Sequence, residues 1–248
     1  MGFSYIGAVS GTNDATGTSL ACSSTLNVAA HDVLVGWVSN ETGDAGTLGV
    51  TDGTNAMSFE SMSHDTHNWA CFGLVLDATA VNPATFTFTN TTSRPYRNIG
   101  VMQFRPDVGD IIAKDQLDIT GAGETPSLLS GNITTTGDDE IVIGAGKDYV
   151  TGTYSAWQIG DTNATGTVNI SGFSGMWYRI LTTTASNIHA QATAGYDFWI
   201  CHIIAIKATA GGASVALSGT ATSSITELDI VVGGKTVILT LSGDTWIA

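Results

Sequence analysis

Three polar constellations in the chain combine residue types that can do chemistry. His64-Asp65-Thr66-His67 sets two imidazoles three residues apart with a carboxylate between them. Zinc takes such ligands, but a closed zinc site needs about four, and no Cys or further His stands in register. Asp52-Gly53-Thr54-Asn55 and Asp161-Thr162-Asn163 resemble calcium loops in their oxygen content. Calcium takes about six to eight oxygens, and the EF-hand spacing with its bidentate Glu is missing. Turn chemistry accounts for both segments without metal. The sequence therefore calls for no cofactor and leaves structural Ca2+ open. Asp138-Asp139-Glu140 precedes a strand-like run. A carboxylate pair can hydrolyse a glycosidic bond when its members stand roughly 5–9.5 Å apart. Adjacent carboxylates before a strand instead alternate faces and read as a charged edge that resists sheet-to-sheet pairing.

No GxSxG elbow, Walker A loop, GxGxxG after a strand or HExxH helix occurs. No nucleophile can be assigned, and the expectation is a protein that is not an enzyme. Six tryptophans remain. Trp37, Trp177 and Trp199 are flanked by apolar residues in strand-like runs and read as core. Trp69, Tyr154 and Trp157 have polar or Gly-rich neighbours, and exposed rings there would stack on a sugar, so these three are the candidate glycan contacts.

Composition removes whole classes of partner. Eight Lys+Arg stand against 22 Asp+Glu, for a formal net charge of −14. That cannot supply the cationic footprint that nucleic acid or anionic lipid requires. Hydrophobic residues at 43% and a mean hydropathy of +0.19 argue against disorder. No apolar run reaches the ~18 residues of a membrane span. The segment MGFSYIGAVSG has no basic region followed by a long apolar one, so no secretory signal is expected. Cys22, Cys71 and Cys201 form no CxxC, and read as buried free thiols of a chain made in a reducing cytoplasm.

The elements that must position these residues are strands. DVLVGWV, ATFTFTN, RNIGVMQF, EIVIGAG, MWYRILT, FWICHIIAIK and TVILTLSG are strand-length and rich in β-branched or aromatic residues. Turn signals such as TDGTN and GDTN separate them. The pattern predicts an all-β protein: an antiparallel two-sheet, jelly-roll-like sandwich over residues 1–208 with a short C-terminal β module. A weak internal repeat runs through the body. Segment 31–36 matches 139–144, 71–80 matches 177–186, and 98–106 matches 200–208. Two pseudo-equivalent halves, 1–106 and 137–208, are expected to pack face to face, bridged by an exposed crossover over 107–136. A small-residue linker, 209–214, leads to a module over 215–248. That module is too short to carry a core unaided, so its apolar residues must dock elsewhere.

The module also carries a recognisable wording. SGTATSSITELDIVVGGKTVILTLSGDTWIA (218–248) resembles the opening half of a domain common in structural proteins of tailed bacteriophages, above all tail and receptor-contact proteins. The matching residues include Ile225, Thr226, Glu227, Asp229, Gly233, Gly234, Lys235, Thr236, Leu239, Asp244, Thr245 and Trp246. The body is similar in texture to jelly-roll and lectin-like domains of virions and bacterial surfaces. The resemblance implies a non-enzymatic virion protein, tail-associated or on the capsid surface, synthesised in the bacterial cytoplasm. Its partners would be other virion proteins and copies of itself. Ile230, Val237, Leu239, Leu241 and Trp246 are the expected assembly interface. The alternative is a lectin-like adhesin that binds a host surface glycan.

Overall fold

The computed structural model describes residues 2–41, 46–60, 63–64, 68–149, 154–171, 174–193 and 198–210, together with the backbone of 227–232, 235–242 and 245–247. Among these there is no helix. The chain divides into two compact units, Met1–Gly211 and Gly212–Ala248.

The first half of the larger unit holds β1 (Phe3–Asn13), β2 (Gly17–Ala21), β3 (Leu26–Val28), β4 (Val33–Glu41), β5 (Leu48–Thr51), β6 (Ser58–Phe59), β7 (Ser63–His64), β8 (Asn68–Val75), β9 (Val81–Ala84), β10 (Thr87–Arg94) and β11 (Arg97–Pro106). The second half holds β12 (Asp110–Gly123), β13 (Ser127–Leu129), β14 (Glu140–Asp148), β15 (Ser155–Ile159), β16 (Thr162–Asn163), β17 (Gly166–Ser171), β18 (Ser174–Leu181), β19 (Ala190–Thr193) and β20 (Trp199–Ala210). The smaller unit holds β21 (Glu227–Val232), β22 (Lys235–Ser242) and β23 (Thr245–Ile247).

Each half builds one large and one small sheet, and the first half adds a two-stranded one, β3-β9. The large sheets run β1-β11-β4-β8-β6 and β12-β20-β14-β18-β17; the small ones run β2-β10-β5 and β13-β19-β15-β16. Strand pairing in both large sheets is antiparallel. The chain passes between the large and the small sheet of its half several times, as from β1 to β2 and from β10 to β11. Each half thus has an internal core. Leu34, Val38, Trp69, Cys71, Phe86 and Phe88 fill the first. Leu128, Val142, Ile159, Trp177, Cys201 and Ile203 fill the second.

A third core lies between the halves. The outer faces of the two large sheets meet, and Val33, Val35, Trp37, Phe72, Met102 and Phe104 pack against Ile141, Ile143, Met176, Ile200, Ile204 and Ile206. The body is therefore four layers of sheet rather than the two that the sequence suggests. The central strands are buried on both faces. All of β14 and all but the last residue of β4 are buried, and β11 and β20 are buried along most of their length. Covering both faces requires near-continuous apolar runs, as in the sheets of α/β proteins. The outer strand β10 alternates buried and exposed along TFTN.

The registers relate the halves. Gly36 stands between Val101 and Gly73, and Gly144 between Ile203 and Trp177. The pairs 31–36/139–144 and 98–106/200–208 agree with these registers. The match of 71–80 to 177–186 is two residues out of step, because Gly73 takes the place of Trp177. A period-two pattern looks the same after a slip of two. Segment 107–136 is not a bridge: β12 and β13 occupy the places of β1 and β2, so the second half begins at Asp110. Its mixed sequence, DIIAKDQLDITGAG, suits a half-buried edge strand. Thr209 and Ala210, expected in the linker, end β20. The rest of the linker lies outside the described residues.

His202 sits in the core between the halves, with Trp37 edge-on at 5.1 Å and Phe72 at 6.3 Å between ring centroids. Neither ring nitrogen has a hydrogen-bond partner. Burial therefore lowers its pKa to about 3. The unfolded chain takes up this proton near pH ~6.5, so the folded state loses stability as pH falls from there towards the folded pKa. His202→Leu should flatten that loss: calorimetry should show a smaller drop in Tm than in the parent chain on going from about pH 7 to about pH 4.

Candidate functional site

A groove of about 540 Å3 lies in the body where the two halves join in sequence. The β3–β4 loop brings His31, the end of β8 brings Leu76 and Asp77, and the β11–β12 connection brings Arg105, Val108 and Ile111. His31 adopts a left-handed backbone (φ 68°), and its Nδ1 meets Asp77 Oδ1 at 2.8 Å. Both side chains are more than three-quarters exposed, so the pair is screened by water and worth little. A His–Asp pair becomes catalytic when it serves a nucleophile. No Ser, Cys or Thr lines this groove among the described residues. What the groove offers is apolar surface: Val108 is fully exposed and Ile111 60% exposed.

Beneath it lies an ion pair that fixes the strand entry. Asp32 is wholly buried, and its carboxylate accepts from Arg105 Nε (2.7 Å) and Nη2 (3.0 Å), from Gln103 Nε2 and from the Ala29 N–H (2.7 Å). A buried carboxylate survives when its lone pairs are this fully occupied.

The matching position of the second half is Glu140, whose register partner is Lys207. Of Asp138, Asp139 and Glu140, the first is exposed and the last fully buried, so the reading of the triplet as a solvated edge fails for Glu140. Oε1 accepts from the Gly137 N–H, Oε2 has no donor among the described residues, and the carboxyl stands against that of Asp115. Asp115 is held by Lys207 Nζ (3.0 Å) and by the Thr136 hydroxyl and N–H. Burial, with the charge of Asp115 adding to it, pushes the Glu140 carboxyl up to about 7. A proton on Oε2 supplies the missing donor to Asp115. This is a carboxylate pair, but its members touch. Glycosidase pairs stand roughly 5–9.5 Å apart with sugar or water between them. Neither carboxylate belongs to the groove.

The three candidate glycan-contact rings are not brought together on the surface. Trp69 is 1% exposed in the core of the first half, where Phe88 meets it edge-on at 6.3 Å. Tyr154 is 5% exposed. Trp157 is half-buried, with Tyr154 at 5.1 Å and Trp177 at 4.8 Å between centroids. Their rings fill space between sheets, so Trp69 and Tyr154 have no face to offer a sugar. The polar neighbours that suggested exposure belong to loop ends, where β8 and β15 begin.

The metal-like segments divide. Asp52 spends its oxygens on its own turn, accepting from Thr54 N–H (2.9 Å), Asn55 N–H (2.7 Å) and Asn55 Nδ2 (2.9 Å). Asp161 sits in the two-residue connection between β15 and β16. The side chains of His64, Asp65 and His67 lie outside the described residues. Cys22, Cys71 and Cys201 are free and buried, and burial raises all three thiols, Cys22 to about 12. For the expected assembly residues the backbone alone is described. Ile230 pairs with Val237, Leu228 with Leu239, and Leu241 with Trp246.

Comparison with known proteins found no family model, no curated protein and no solved structure that matches the chain.

The Glu140–Asp115 contact has a pH signature. In the unfolded chain Glu140 titrates near ~4.3, and in the folded protein near 7. Its contribution to stability is full below the lower value and is lost as pH rises through the upper one. Glu140→Gln keeps a donor towards Asp115 and removes the titration. Urea unfolding of the variant should show less decline in stability from about pH 5 to about pH 8 than the parent chain shows.

Proposed function

We propose that this chain is a non-enzymatic structural protein of a tailed-bacteriophage virion, in the tail or on the capsid surface. We further propose that its C-terminal sheet is the element through which it joins other virion proteins and copies of itself. The observation that carries the reading is the C-terminal sheet. Within the segment that resembles the tail-protein pattern, three antiparallel strands form: ELDIVV as β21, KTVILTLS as β22 and TWI as β23. Val232 pairs with Lys235 and Ser242 with Thr245. Three strands form one layer, and a domain core needs two. The sequence KTVILTLS has one charge in eight residues, and β22 is already paired on both edges by β21 and β23, so what a partner supplies is a covering layer.

Two features of the body support the same reading. Its antiparallel sheets pack face to face, and double-sheet all-β folds are among the architectures that viral capsid proteins use. The groove at Val108 and Ile111 presents apolar side chains to solvent, as interaction surfaces do. The carboxylate pair and the His31–Asp77 pair both lack the geometry of a reaction centre.

Deleting residues 213–248 tests the proposal. The truncated chain should remain folded and soluble by circular dichroism, and should no longer enter the oligomer or particle by light scattering and incorporation assay. Normal assembly of the truncated chain would contradict it.

A further inference from the structure

In the second half three side chains converge where the first half has an ion pair. By register and repeat, Lys207 stands where Arg105 stands, Glu140 where Asp32 stands, and Asp115 where Ile6 stands. Ile6 and Asp115 are the extra residues of matching bulges in the edge strands β1 and β12. Arg105 grips Asp32 directly. Lys207 turns instead to the bulge residue: its Nζ stands 3.0 Å from Asp115 Oδ1 and 3.0 Å from Thr136 Oγ1. The Asp115 side chain is 2% exposed and that of Lys207 29%, and Glu140 is fully buried against Asp115.

Lysine in place of arginine changes what the pair can do. A guanidinium keeps its protons and is no nucleophile. An ammonium can pass a proton to the carboxylate it touches and become an amine. Such a pair differs from an amide by one water. Strand register already holds the two groups in contact, which removes the entropy cost of their encounter. The carboxyl of Glu140 beside them is a third group able to move the protons.

We propose that Lys207 and Asp115 condense into an amide cross-link, in one self-limited event that Glu140 assists. The Lys207 ammonium gives a proton to the Asp115 carboxylate, and the amine attacks Cγ. The C–N bond forms and a C–O bond breaks. Glu140, whose carboxyl keeps its proton up to about 7, donates it to the departing hydroxyl and recovers one from the nitrogen. One water leaves, and nothing is oxidised or reduced. The Thr136 N–H, 2.8 Å from Oδ2, holds the charge that develops on the oxygen that stays. No external substrate has room between groups that touch, and this reaction needs none. The bond joins β12 to β20 across 92 positions of sequence, and closing so long a loop restricts the unfolded chain. The inference rests on the body alone and stands apart from the assembly role of the C-terminal sheet.

Mass spectrometry of the purified full chain, kept folded at neutral pH and then denatured, tests it. The mass should fall one water below that of the sequence, counted with or without Met1. Trypsin does not cut after an acylated lysine, so the digest should hold a branched peptide with Asp115 in one arm and an uncut Lys207 in the other. Lys207→Arg keeps the ion pair and should show its full mass. Glu140→Gln, checked for folding by circular dichroism, should form the bond about a hundredfold more slowly. The full sequence mass in the folded parent chain would overturn the inference. So would a lost water that maps elsewhere, as to Asp52-Gly53, or that persists in Lys207→Arg, or an unchanged rate in Glu140→Gln.

Discussion

The contact between the two large sheets is the constraint on which the body depends. Each sheet already covers one face with its own small sheet. The other face is as apolar, and only the opposite half is there to bury it. The stacking follows a definite sense: β1 and β11 lie over β17 and β18, while β8 lies over β14 and β20. At the far side Lys114 of β12 reaches Glu60 beside β6. Two copies around a two-fold axis would meet in this way, and here both copies belong to one chain. The symmetry is broken in the middle. Where the second half has His202, the first has Gly100, and a Cβ at Gly100 would stand 2.5 Å from Ile170 Cδ1. Trp37 takes the place that Ala145 takes in the other half. Close approach on one side and large rings on the other tilt the packing towards a single arrangement.

Polar groups in this interface fix its register. Trp37 Nε1 donates to Ser174 Oγ at 3.0 Å, and Ser174 donates to Gly146 O at 3.2 Å. Asn68 Nδ2 donates to Phe198 O at 3.1 Å, across the halves. Apolar faces alone would tolerate sliding; these bonds do not. The strand entries are fixed by buried carboxyl groups, Asp32 held by Arg105 and Glu140 held by the Gly137 N–H beside Asp115. The same structural problem has two electrostatic solutions, and one of them titrates near neutrality. The consequence for function is a stiff support. The groove at Val108 is presented by a body whose sheets cannot shift without opening a core.

Much of this was legible in the sequence, and the misses have physical causes. β-branched runs and turn signals declare strands, and the repeat declares two halves. The four layers were hidden because a strand buried on both faces shows no clean alternation, and VLVGWV looks like any apolar run. β12 was hidden because an edge strand is polar enough to pass for a crossover. Trp69 and Tyr154 were misplaced because residues at strand ends have loop-like neighbours while their rings point inward. Glu140 was misplaced because a sequence does not show that Asp115 and Lys207, far away along the chain, arrive at the same strand end.

The central claim is that neither half can exist alone, because its large sheet would leave an apolar face in water. Residues 2–108, expressed by themselves and examined by sedimentation and dye binding, measure this directly. The account predicts self-association or strong binding of a hydrophobic dye, since Val33, Val35, Trp37, Phe72 and Phe104 lose their cover. A folded, monodisperse monomer that binds no dye would contradict it.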